Sequence, residues 1–246
     1  MASRAEIVAF LDQELAVREV PDPYCPNGLQ VEGGDPVERI GLAVDACQQT
    51  FEALADCQMI ITHHGLFWPS IKSVTGAMRR SLGLLMDRDI SLYSVHLPLD
   101  VHETYGNNVQ LLRRLGWQPQ ERFDQVGWVA EGPVVSTAGN VARDLEAVLG
   151  SSVRLLSFGP PEVRRLALSS GGGSIGLLHS ARQAGADLLI TGEASHPIYH
   201  AAREMGLNLI LAGHYATETW GVQALGPLLE ERFGVTTRFV DFPTGF

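Results

Sequence analysis

Apolar residues in this chain come in short unbroken runs, each followed by a segment of helical period. Arg39–Asp45 (RIGLAVD), residues 58–62 (QMIIT) and residues 90–95 (ISLYSV) are runs of this kind, with a helical pattern over 48–55. A run without polar alternation suits a strand covered on both faces, so these segments predict parallel strands joined by helices. The pattern returns near the C-terminus, with strands predicted over 165–169, 186–191 and 207–211 and helices over 174–184 and 198–205. Residues 4–18 predict an N-terminal helix, and 21–36 a loop dense in proline and glycine. Between the two blocks, residues 104–161 predict a helix (107–115), a strand (126–130), a helix (142–149) capped near Ser136 or Thr137, and a strand (153–158). Trp220, Leu225 and Leu228 read as core positions of a last helix.

The two blocks share a weak internal repeat. ADCQMIITHH resembles AGADLLITGE and SLYSVHLPLD resembles LILAGHYATE, which sets Thr62 against Thr191, His96 against His214 and Asp100 against Glu218. The expected fold class is therefore α/β, with two similar α/β domains related by a pseudo-twofold. Residues 1–103 and about 162–246 form the two halves, and 104–161 is an intervening α/β segment without metal motifs. Sites in parallel sheets gather at the C-terminal ends of the strands, so the strand ends of both halves are expected to line one cleft.

Seven residues with metal-binding chemistry fall at or just beyond those ends: His63, His64, His96, Asp100, Glu193, His214 and Glu218. Imidazole suits zinc, iron, manganese and related ions, and a carboxylate can bridge two of them. Four histidines with three acids exceed the needs of one catalytic ion, which favours a dinuclear site. Burying the adjacent His63-His64 pair is costly unless something binds the two rings. His214 and Glu218, four apart, share a helix face; the pair also reads as a helix N-terminus with its favourable acid.

Composition narrows the classes. Eighteen basic against 28 acidic residues give a net charge of −10, which argues against a phosphate-backbone surface, including a ring threading single-stranded nucleic acid. Cys25, Cys47 and Cys57 show no CxxC spacing and read as buried reduced thiols. No signal-type apolar segment or membrane-length run is present, so the expected location is cytoplasmic.

Residues 171–176 (GGGSIG) match G-x-G-x-x-G between a strand and a helix, with Glu193 at the end of the next strand. Three readings stay open: a dinucleotide fingerprint, which the repeat opposes because His64 stands where Glu193 does; a backbone anion site; and tight packing. His196 and His200, four apart, are a further pair able to hold an ion, with His196 a cleft candidate; His102 and His179 have no partner pattern.

Six motifs resemble those of the NIF-three-like dinuclear-metal proteins, also known as type 2 homologues of GTP cyclohydrolase I. They are NGLQVEG (27–33), THHGLFW (62–68), YSVHLPLD (93–100), SGGGS (170–174), TGEASH (191–196) and GHYATE (213–218), in the family's order over nearly the whole chain. The resemblance implies that His63, His64, Asp100, His214 and Glu218 are the metal ligands, with Asp100 or Glu218 able to bridge two divalent ions. It implies that His96 and Glu193 stand behind the ligands or act as acid/base groups. It also implies a short-form member, a homohexameric toroid with its metal sites facing an internal cavity. Two departures are Gly65, where many relatives carry proline, and Leu97-Pro98-Leu99, where a Thr-Asn-Leu run precedes the aspartate.

Two functions follow as expectations. One is a metal-dependent hydrolase of a nucleotide-like or phosphorylated small molecule; in the cyclohydrolase form, hydroxide attacks the imidazole-ring carbon of a purine. The other is a non-catalytic metal-binding or regulatory assembly protein.

Overall fold

The computed structural model describes residues 2–69 and 71–246. In chain order the elements begin with α1 (Arg4–Glu14), β1 (Gly28–Val31), β2 (Arg39–Asp45), α2 (Gln48–Ala53), β3 (Met59–His64), α3 (Gly76–Asp87), β4 (Ser91–Ser94) and α4 (Leu97–Asp100). Next come α5 (Asn107–Arg114), β5 (Gln118–Phe123), β6 (Gly127–Thr137), α6 (Ala138–Leu149), β7 (Arg154–Leu156), β8 (Glu162–Gly173) and α7 (Ile175–Gln183). The chain ends with β9 (Leu188–Ala194), α8 (Ile198–Met205), β10 (Asn208–Leu211), α9 (His214–Thr217), α10 (Thr219–Phe233) and β11 (Thr236–Phe239). They form two compact units, one running to Tyr105 and taking in Gly221–Phe242, the other Gly106–Trp220 with Pro243–Phe246. Each unit is α/β, with bounds that differ from the halves 1–103 and 162–246 expected from sequence. Residues 106–161 lie inside the second unit, and the chain's last strand returns to the first.

The first unit holds a five-stranded sheet in the order β1-β4-β3-β2-β11. Strands β4, β3, β2 and β11 run parallel and β1 is an antiparallel edge. Alternation sends Ile40, Leu42, Met59, Ile61 and Tyr93 to a face covered by α1 and α10, and Ile60 and Leu92 to a face covered by α2 and α3. Both faces are buried, which is why these strands read as unbroken apolar runs.

The second unit repeats the device in a six-stranded sheet of order β5-β6-β8-β9-β10-β7. Its parallel centre, β8-β9-β10, sends Leu166, Leu168, Leu188, Ile190 and Ile210 toward α5 and α6, and Ala167, Leu189 and Leu209 toward α7 and α8. Thr137 caps α6, its hydroxyl accepting from the Asn140 N–H at 3.2 Å, within the expected 136–137. Each buried Leu or Ile contributes about 1.5–3 kcal/mol. That packing fixes where the strands end, and hence where the polar residues just beyond them stand.

Sequence pattern missed β1, α3, the one-turn α4, β5 and β11. Three are edge strands in polar or Pro/Gly-rich stretches, and α3 buries only Ser81 and Leu85 of its 12 residues.

Candidate metal centre

In the first unit, β3 ends in His63-His64 and β4 runs out into His96. The three rings cluster, with centroids 4.8 Å apart for His63–His64, 5.1 Å for His63–His96 and 5.7 Å for His64–His96. One potential ligand atom from each lies within 4.8 Å of the others. Hydrogen bonds fix which nitrogen each ring presents. His63 Nδ1 lies 3.1 Å from the Val95 carbonyl, His64 Nδ1 2.8 Å from Asp45 Oδ1 and His96 Nδ1 2.9 Å from Asp22 Oδ2. Carbonyl and carboxylate oxygens only accept, so each Nδ1 carries the proton, and a ring in its neutral form presents the Nε2 lone pair. Such back-bonding is the usual support of a metal-ligating histidine.

Asp100, the buried last residue of α4, places Oδ2 3.6 Å from His63 Nε2. With Nδ1–H fixed, a neutral His63 ring turns its Nε2 lone pair to a carboxylate oxygen, an arrangement a cation between them relieves. Pro98 suits the first turn of α4, where a missing N–H costs nothing, while the Leu97 N–H donates to Asp22 Oδ2 at 3.2 Å.

The loop after α1 clamps His96. Asp22, 2% exposed in its side chain, accepts from the N–H groups of Tyr24 (2.9 Å) and Cys25 (3.1 Å) and from Asn27 Nδ2 (3.0 Å). Asn27 Oδ1 in turn accepts the His96 N–H at 2.6 Å. Burial alone would raise the Asp22 pKa, but these hydrogen bonds and His96 outweigh it and hold the carboxyl below its ordinary value. Burial, followed by the neighbouring His63, lowers the pKa of His96 and keeps its ring neutral. Gly65 is dictated by close approach. A Cβ there would lie 2.8 Å from Gln30 Oε1 and 2.9 Å from Cys25 Sγ, and Gln30 Oε1 accepts the Leu66 N–H at 2.8 Å.

The second unit carries a different half-site. His214 opens α9; its Nδ1 lies 2.9 Å from Glu193 Oε1 at the end of β9, and its Nε2 3.2 Å from Glu218 Oε2. Again the back nitrogen is held by an acceptor and Nε2 faces a buried carboxylate. Gly171 makes room for this pair. Its φ is +70°, a Cβ there would overlap Glu218 Oε1 and stand 3.4 Å from His214 Nε2, and its N–H donates to Thr217 Oγ1 at 3.1 Å.

The profile of the Duf34/NIF3 (NGG1p interacting factor 3) family matches residues 2–244. The chain belongs to this family. It is 44% identical over 250 residues to the GTP cyclohydrolase 1 type 2 homolog of Pyrococcus abyssi, spanning 98% of this chain and 99% of that relative. Among solved structures, the protein ybgI superposes with a TM-score of 0.94 at 35% identity, covering 98% of this chain and 99% of its own. TTHA1606 from Thermus thermophilus gives 0.92 at 40% identity over 99% and 100% of the two chains.

In this Duf34/NIF3 protein the internal repeat is offset by one residue from the sequence alignment. The Val95 N–H donates to the Thr62 carbonyl as the Ala212 N–H does to the Thr191 carbonyl. By backbone position His96 therefore matches Gly213, and His214 matches Leu97. The G-x-G-x-x-G run is the end of a strand and the start of a helix. β8 continues through it, pairing Gly172 with Glu193 and Gly173 with Ala194, and Ser174 caps α7 by accepting the Leu177 N–H at 3.0 Å. Close approach holds at Gly173, where a Cβ would lie 2.7 Å from Thr191 Cγ2, but not at Gly172, where it would meet nothing within 4 Å.

Of the other histidines, His102 is a structural hub, donating to the Glu14 carbonyl and accepting from the N–H groups of Thr104 and Tyr105. His179 is exposed, and His196 and His200 meet edge to face with centroids 5.8 Å apart. Cys25 and Cys57 are buried free thiols, Cys47 a half-buried one, and burial pushes the Cys25 pKa up to about 11. No helix among the described residues is long and apolar enough to cross a membrane. Sequence reasoning missed Asp45 and Asp22. Asp45 ends a strand, a signal that could have found it; Asp22 lies 74 residues from His96 in a loop with no local signal.

Proposed function

We propose that this chain is a metal-dependent hydrolase of the GTP cyclohydrolase 1 type 2 homolog kind, acting on a nucleotide-like or phosphorylated small molecule. His63, His64, Asp100, His214 and Glu218 are its ligands for two divalent ions. One observation carries the reading: His63, His64 and His214 each set Nδ1 within 3.1 Å of a protein acceptor, an arrangement that leaves Nε2 to meet a cation. Imidazole nitrogens with carboxylate oxygens suit zinc, iron or manganese. When bound, the ions supply a water acidified toward neutrality and a charge that polarises the electrophile.

The remaining work falls to the chain. Asp100 and Glu218 would hold the ions through their carboxylates. His96, kept neutral and aimed by Asp22, accepts a proton at Nε2. Glu193 aligns the His214 ring and, with 48% of its side chain exposed, can pass a proton to solvent. A homohexameric assembly belongs to the same proposal, on the strength of the family resemblance.

The test is metal content per chain, by elemental mass spectrometry on untagged protein. It is paired with hydrolysis of GTP and simple phosphoesters after each metal is restored, and with sedimentation for the hexamer. About two ions per chain with metal-dependent turnover is the expected result. Two ions without turnover would move the assignment to a metal-binding or regulatory protein. Unchanged stoichiometry in His63→Ala, His214→Ala and Glu218→Ala alike would sink the ligand set.

A further inference from the structure

Apart from the half-site of His214, the second unit carries a cavity of about 360 Å³, lined by Arg154, Leu156, Ser195, His196, Tyr199, His200, Leu211 and two apolar neighbours. Its volume lies in the range of small-molecule pockets. Strand register places Arg154. β7 pairs antiparallel with β10 so that Arg154 stands opposite Leu211, at the C-terminal end of β10, and Leu156 opposite Leu209. Leu156, Ile198 and Leu211 belong to the apolar cluster under α8 and give the cavity a hydrophobic floor. The rings of His196, Tyr199 and His200 also line it and stand edge to face, with centroids 5.8 Å (His196–His200) and 5.3 Å (Tyr199–His200) apart.

The charge is what singles this cavity out. The chain carries 28 acidic against 18 basic residues, yet no carboxylate among the described residues lines the cavity, while an arginine, two imidazoles and the Ser195 hydroxyl do. The nearby acid, Glu193, is engaged with His214. Arg154 makes no ion pair among the described residues, so its guanidinium fork is available to an anion.

We infer that this cavity binds a phosphorylated aromatic metabolite, Arg154 with His196 and His200 taking the phosphate while the ring lies on Tyr199, Leu156 and Leu211. The inference deepens the proposed function by placing the substrate's handle, and it rests on that reading for the ligand class. A nucleoside monophosphate is the simplest such ligand, combining one planar ring with one phosphate.

The test is calorimetric titration of the full, metal-loaded chain with guanosine 5′-monophosphate, guanosine and inorganic phosphate, in wild type, Arg154→Gln, Arg154→Lys and His200→Gln. Removing a charge-assisted fork should weaken the monophosphate about 10- to 100-fold in Arg154→Gln, leave guanosine unchanged, and recover in part in Arg154→Lys. Monophosphate affinity unaltered in Arg154→Gln and His200→Gln would overturn the site, as would no binding in wild type. Inorganic phosphate binding as tightly as the monophosphate would overturn the aromatic floor. Metal content of the same samples separates the two readings. Its absence from wild type strikes the proposed function alone, and an Arg154-independent titration strikes this pocket alone.

Discussion

The two units build the same scaffold and arm it differently. Each runs strand, helix, strand, helix, strand and one-turn helix, with its chemistry at the strand ends. The first unit presents three imidazoles with Asp100 before them and Asp45 and Asp22 behind, the His63 side chain fully buried; the second presents one imidazole, 29% exposed, between Glu218 and Glu193. Position comes from apolar strands packed on both faces, whereas donor type comes from the few residues beyond them. Even the neighbouring strand end is used in opposite ways. Asp45, opposite His64, supplies a carboxylate, while the end of β8, opposite Glu193, is cleared of side chains by glycine.

The sharpest way to break this contrast is to put a side chain where the second unit has none. Gly171→Ala forces a left-handed backbone on alanine, costing about 1–2 kcal/mol by itself, and drives its Cβ into Glu218. Urea unfolding should show at least that loss, and metal content should fall with it. Gly172→Ala, with nothing within 4 Å of its Cβ, should stay within about 0.5 kcal/mol of wild type. Equal losses in the two variants would mean that the glycine run serves something other than room for the Glu218–His214 pair.

Next in size come the carboxylates behind the rings. Asp45→Ala and Glu193→Ala should each weaken zinc binding about 10- to 100-fold in chelator competition. The Asn and Gln variants, whose amide oxygens still accept Nδ1–H, should recover most of it. Asp45→Ala is expected at the upper end, because the His64 side chain is 17% exposed against 29% for His214 and water replaces its partner less readily. The reverse order would show that burial does not set the difference between the half-sites.

What was legible in sequence follows the same division. β2 was readable residue by residue because both its faces are apolar, and the ligand candidates because they end such runs. β5 (QPQERF) was not: an edge strand with a largely exposed, polar face takes its conformation from its partner β6. The one-residue offset of the repeat was hidden because matching His-x-x-x-acid letters mask a different start for α4 and α9. Asp22 was hidden because only the folded loop brings it to His96.

Asp22 supplies the smallest effect and the finest test of how firmly the first unit holds its rings. Its folded pKa lies below the ordinary carboxylate value, so the unfolded chain takes up the proton first as pH falls. The stability it contributes is fully present above the unfolded value of about 4 and is lost as pH drops through the lowered folded value. Asp22→Asn keeps the volume and one acceptor but cannot accept from Asn27, Leu97 and His96 together. The gap in urea midpoint between wild type and Asp22→Asn should therefore be flat from pH 7 to about pH 5 and narrow below about pH 4. A gap that stays constant down to pH 3 would mean the loop does not stabilise an ionised Asp22, and that His96 takes its orientation from ring packing alone.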